Sequence, residues 1–103
     1  MGETAYRDWL DEDEKAEIAV RFLTHRREVA DYAVVLLSVE RGDRRTVRVY
    51  DNAHGNHDMH RYNRADVKQA AQTFHQGSAG GAMRSAIEAI RGGYEEMIES
   101  WRR

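Results

Sequence analysis

The chain has 103 residues, 41% hydrophobic and 33% charged, which suits one small domain and excludes a multidomain enzyme with a separate cofactor module. It contains no cysteine. A disulfide scaffold, a thiolate zinc site and a cysteine nucleophile are therefore excluded, and any chemistry falls to His, Asp, Glu, Arg, Tyr or Ser.

The net charge of −2 hides an acidic head, with seven acids against Arg7 and Lys15 over residues 1–17, and a basic middle, with seven arginines against four acids over residues 18–50. A pI near 6.2 argues against strong DNA binding. In the acidic N-terminal segment, residues 1–15, Asp11 and Glu14 have the spacing of a capping box, and a short acidic helical turn is expected there. The sheet is expected over about residues 16–63. Ile18, Val20 and Phe22 alternate with Ala19, Arg21 and Leu23, and after the polar stretch His25 to Glu28 comes the β-branched, apolar run Val29 to Val39. These predict two paired strands, the second apolar on both parities and so central with both faces covered. The turn Arg41-Gly42-Asp43-Arg44 leads into a third strand, Thr46 to Tyr50, and His57 to Asn63 is a candidate fourth.

A Gly-rich connection, residues 76–81, precedes a helix over about 81–102, in which Met83, Ile87, Ile90, Tyr94, Met97 or Ile98 and Trp101 form one apolar stripe. Arg84 with Glu88 and Arg91 with Glu95 pair charges on its outer face, and Gly92-Gly93 predicts a bend or a close backbone approach. The expected fold is α+β: one domain with an antiparallel three- to four-stranded meander sheet and a C-terminal amphipathic helix packed on one face. One helix covers one side, so the N-terminal segment or a second copy should cover the other, and a homodimer is expected. The longest apolar run, Tyr32 to Leu37, is far short of the roughly 18 residues that span a bilayer. Met1 to Glu17 lacks the basic and apolar regions of a signal peptide, so a cytoplasmic location without a membrane partner is expected.

Three of the five histidines, His54, His57 and His60, fall within seven residues after the third strand. One chemistry that suits them is metal-independent RNA cleavage, in which one imidazole takes a proton from the 2′-hydroxyl and another protonates the leaving oxygen. His54 and His57 are the candidate acid and base pair, Arg48 or Arg61 the stabiliser of phosphorane charge, and Asp51 the group that orients an imidazole. Tyr50, Tyr62 and His60 are candidate substrate contacts, the tyrosines by stacking on a base. A divalent metal on His54, His57 or His60 with Asp51 or Asp58 is the alternative; His57 and His60 point to opposite faces of a strand and no established zinc spacing is present, so neither metal nor cofactor is expected. Asp51-Asn52 and Gly55-Asn56 are also ordinary turn formers, which leaves room for a polar connection with solvated histidines. Met59 is expected in the core, and His25 and His75 at strand ends or the surface.

The string Arg48-Val49-Tyr50-Asp51-Asn52-Ala53-His54-Gly55, preceded by an antiparallel hairpin and followed by further histidines, resembles the TumE-type toxins of prokaryotic toxin–antitoxin systems over roughly residues 29–62. The residues carried over by the resemblance are Arg48, Asp51, His54 and His57. The order Arg-Val-Tyr-Asp holds one residue more than the Arg-Tyr-Asp pattern, which changes the strand parity of Arg48. The resemblance implies a toxin-like protein acting on an RNA substrate, with an antitoxin protein as partner. A non-catalytic protein-binding module, using the sheet face or the helix, is the alternative from a different class.

Overall fold

The structure is a computed structural model and describes residues 2–103. Six strands and one helix follow in chain order: β1 (Gly2–Trp9), β2 (Ala16–His25), β3 (Glu28–Glu40), β4 (Asp43–Asp51), β5 (His57–Arg61), β6 (Gln72–His75) and α1 (Ala79–Arg102). The strands form one antiparallel sheet in the order β1-β2-β3-β4-β5-β6. The fold is thus α+β, as the alternation predicts, but with six strands rather than three or four. Both added strands lie outside the expected sheet limits. β1 replaces the acidic helical turn as the start of the fold, and the Asp11 carboxylate instead accepts from the backbone N–H groups of Lys15 and Ala16 at 2.9 and 3.2 Å, closing the β1–β2 turn.

Two hairpins turn on residues with positive φ. Arg41 (52°) and Gly42 (84°) join β3 to β4, and Arg26 (52°) and Arg27 (67°) join β2 to β3. Positive φ at both central positions is the two-residue turn whose twist matches the strands. Glycine serves it freely. Two arginines there hold a left-handed backbone at a cost of about 1 kcal/mol or more each.

Alternation assigns the two faces. Ile18, Val20, Tyr32, Val34, Leu36, Tyr50 and Met59 meet Ala82, Met83, Ala86, Ile90, Ile98 and Trp101 of α1 in a single core. Met59 is buried there, and β3 is central, packed under α1. The other face carries the registered rows Ala5↔Arg21↔Ala33 and Arg7↔Ala19↔Val35. The N-terminal segment does not cover it, because β1 extends the sheet edge instead of crossing the face, and no element among the described residues packs on it. Buried Glu17 on this face is held by Arg44, whose Nε donates at 2.8 Å.

Helix α1 begins two residues before its expected start, where Ser78 accepts from the Gly81 N–H at 3.0 Å as N-cap. It runs through Gly92 and Gly93 unbroken, and a Cβ at Gly92 would meet nothing within 4 Å, so no close approach explains that glycine. Of the expected outer pairs, Arg91 bonds instead to Asp8 of β1 at 3.1 Å. No helix among the described residues is long and apolar enough to cross a membrane.

Candidate functional site

The β4–β5 hairpin carries every candidate residue, and its register distributes them between two ends: Arg48↔Arg61, Val49↔His60, Tyr50↔Met59 and Asp51↔Asp58. Asp51, His54 and His57 stand at the closed, turn end. Arg48, Arg61 and Tyr62 stand at the open end. The register spans the length of the hairpin between them, so one bound group does not meet both sets.

At the turn end Asn52 and His57 are held by the chain's own contacts, while Asp51 and Asp58 stand directly opposed. The Asn52 side chain donates to Ala30 O at 2.8 Å and accepts from the Tyr32 N–H at 3.1 Å, which continues the β3–β4 pairing past its last backbone rung. His57 lies with Nε2 3.0 Å from Gly77 O and Nδ1 2.8 Å from the Tyr32 hydroxyl. A carbonyl only accepts, so Nε2 donates to Gly77 O, and with the Tyr32 hydroxyl at Nδ1 both nitrogens are engaged. Burial, and then the charges of Asp51 and Asp58, push the Tyr32 phenol above its ordinary range, which keeps it a donor. His54 is exposed at the turn tip.

His60 points to the helix-free face, buried, with its Nδ1 3.1 Å from Gln69 O. Tyr50 is buried in the core with its ring edge-on to Phe74 at 4.9 Å between centroids, which leaves no face for a base. One arrangement had no sequence signal: His75 comes within 5.8 Å of His57, ring to ring, and its Nδ1 lies 3.4 Å from the Ser85 hydroxyl. No three His, Asp or Glu side chains among the described residues come together in a way that could hold a metal ion.

The open end is built differently. Arg48 and Arg61 face each other directly across the ladder, an opposition of like charges that costs stability. Around them Tyr62, Trp101 and Arg103 line a pocket of about 200 Å³ between the hairpin and the last turn of α1. Neither Asp nor Glu lines it. The arginines just outside have acidic partners: Arg64 bonds both Glu40 carboxylate oxygens at 3.1 Å, Arg45 reaches Asp66 at 3.3 Å and the Arg64 carbonyl, and Arg102 lies 3.8 Å from Glu40. Those Arg64 contacts hold the exposed Glu40 carboxyl below its usual range. Arg48, Arg61 and Arg103 have no ion pair among the described residues. Trp101, with the Arg64 guanidinium 4.3 Å and that of Arg45 5.8 Å from its ring centroid, and Arg103 belong to the site although helix periodicity marks Trp101 only as core.

No curated protein matches the chain, and no solved structure matches it. The family comparison covers every residue: the chain matches, over residues 1–103, the family described as a domain of unknown function (DUF7718), and it belongs to that family.

Proposed function

We propose that this domain contacts RNA through the arginine-lined open end of the β4–β5 hairpin, in the toxin-like role that the sequence resemblance implies. The observation that carries the proposal is the opposition of Arg48 and Arg61 beside Tyr62 and Trp101 with no acidic side chain in the pocket. Guanidinium groups match phosphate oxygens in a planar, two-pronged way, and the partly exposed Tyr62 ring beside them suits single-stranded nucleic acid. The engagement of both His57 nitrogens favours recognition over cleavage by a His54 and His57 pair.

Two measurements test this. Anisotropy of a labelled single-stranded RNA should report binding that weakens as salt rises, and Arg61→Gln should weaken it further; absence of binding at low salt overturns the proposal. RNA integrity after induced expression of the wild type and of His54→Ala/His57→Ala separates binding from cleavage. Degradation by the wild type alone would assign catalysis to the turn, whereas intact RNA in both leaves recognition as the activity.

A second reading, the protein-binding module, is favoured by the helix-free sheet face, where Ala5, Ala19, Ala33 and Val35 with Arg7 and Arg21 line an open groove of about 350 Å³. A second copy, as in the expected homodimer, or an antitoxin-like protein would seat there. Substitution of Ala19 by Glu should abolish such an assembly and leave RNA binding untouched, and size-exclusion chromatography with light scattering reads the outcome.

A further inference from the structure

The pocket at the open end narrows the ligand further than nucleic acid in general. Two residues that line it carry donors that meet no acceptor among the described residues: Arg48 Nε and Trp101 Nε1 are buried and unpartnered, and Trp101 is only 6% exposed. Buried donors without partners are uncommon because each forfeits its hydration for nothing. With Arg61 and Arg103, Arg48 makes three arginines among the residues that line this space, and no side-chain acid lines it. The negative end of the α1 dipole lies beside it and opposes an anion. Three unneutralised cations outweigh that.

Charge and size then separate two kinds of phosphate. An internal phosphodiester carries one negative charge and continues as chain on both sides. A terminal phosphomonoester carries between −1.5 and −2 at about neutral pH and presents three acceptor oxygens, which suits several convergent donors. A space of about 200 Å³ backed by a buried indole takes an end group better than a strand passing through. We infer that this pocket binds the terminal phosphomonoester of an RNA strand, at the 5′ or the 3′ end, in preference to internal phosphodiesters. The inference rests on the RNA reading above and adds the part of the strand that is recognised.

The test is calorimetric titration of the full chain with three unlabelled oligoribonucleotides of one sequence, bearing a 5′-phosphate, a 3′-phosphate or hydroxyls at both ends. One or both phosphorylated strands should bind at least about ten-fold tighter than the hydroxyl strand, and the stronger arm identifies the end. Inorganic phosphate should compete with that preference. Arg48→Met and Arg61→Gln should each remove it, while Arg84→Gln, exposed near the start of α1 and away from the pocket, should retain it. Equal affinity for the three strands overturns the terminal-phosphate inference and leaves RNA binding standing; no binding of any strand overturns both. A preference that survives in both folded arginine variants overturns the assignment to this pocket. Should either variant fail to fold, the wild-type comparison with phosphate competition still decides the ligand.

Discussion

Replacement of Arg48 by methionine should stabilise the free protein and at the same time remove its response to phosphate. Arg48 stands opposite Arg61 in the β4–β5 ladder, and like charges in that relation cost about 0.2–1 kcal/mol. Its Nε is buried without a partner, a defect worth about 1–3 kcal/mol. The side chain as a whole is only half-buried, so the rest of the guanidinium is hydrated and the low end of that range applies. Methionine keeps an unbranched stem of similar reach against the core and has no donor to satisfy. The expected gain is about 1–2 kcal/mol, which for a domain of this size raises Tm by roughly 5–10 °C. Thermal unfolding followed by circular dichroism at low ionic strength measures it. Added salt should shrink the difference, because only the repulsive part is screened. In the wild type, inorganic phosphate should raise Tm by mass action on the folded state, and in Arg48→Met it should not. A lower Tm in the variant would mean that Arg48 makes a stabilising contact, and the reasoning that reads its donor as reserved for a ligand would be refuted. An undiminished phosphate response would place the anion elsewhere.

Two further substitutions probe the scaffold. Tyr32→Phe removes the hydroxyl that donates to His57 Nδ1 and should cost about 1 kcal/mol at neutral pH. Because the folded-state pKa of Tyr32 lies above the unfolded value, its contribution is fully present below a pH of about 10 and is lost as pH rises beyond that. The variant should therefore lose less stability than the wild type in alkaline urea titrations, and parallel losses would contradict the sign. Gly92→Ala should stabilise α1 by about 0.5–1 kcal/mol, since the position is exposed and a Cβ there meets open space; a shift of the urea midpoint at constant m-value reports it, and a loss would reveal a constraint on Gly92 from outside this chain.

The centre of the fold was legible and its edges were not, for one reason. Strands β2 and β4 alternate because one face is buried under α1, β3 between them is a long β-branched apolar run, and two-residue turns join the three. Every described residue of β1 is exposed, so no burial imposes a pattern on it, and its charges read as an acidic segment. β6 has four residues and pairs with β5 through an irregular register, too short and too distorted for a period of two to appear. The Arg26-Arg27 turn illustrates the opposite limit. Two arginines carry no turn signal, and tertiary pairing of long strands holds them in a left-handed backbone that their own preferences oppose.

Sequence spacing drew attention to the histidines because they are close in the chain, whereas the structure divides the hairpin by sign of charge, with Asp51 opposed to Asp58 at the turn end and Arg48 opposed to Arg61 at the open end. At the turn end Asn52 bonds β3, and His57 is held between the Tyr32 hydroxyl and Gly77 O, contacts across 20 to 25 residues that no local pattern encodes. Groups so paired specify the hairpin's position on the sheet and have little left to offer a ligand. At the open end the same hairpin leaves Arg48 and Arg61 opposed, although Glu40 and Asp66 lie close enough to pair with Arg45, Arg64 and Arg102. Acids are therefore available in that region and are committed to the arginines that pack around Trp101, not to the pair that faces the pocket. A chain that pairs three neighbouring arginines with two acids and leaves a directly opposed pair uncompensated carries a local cost in the free state. An anion that enters the pocket removes that cost as well as adding its own contacts, so its binding should be stronger than the contacts alone would give, and the gain should disappear with either member of the pair.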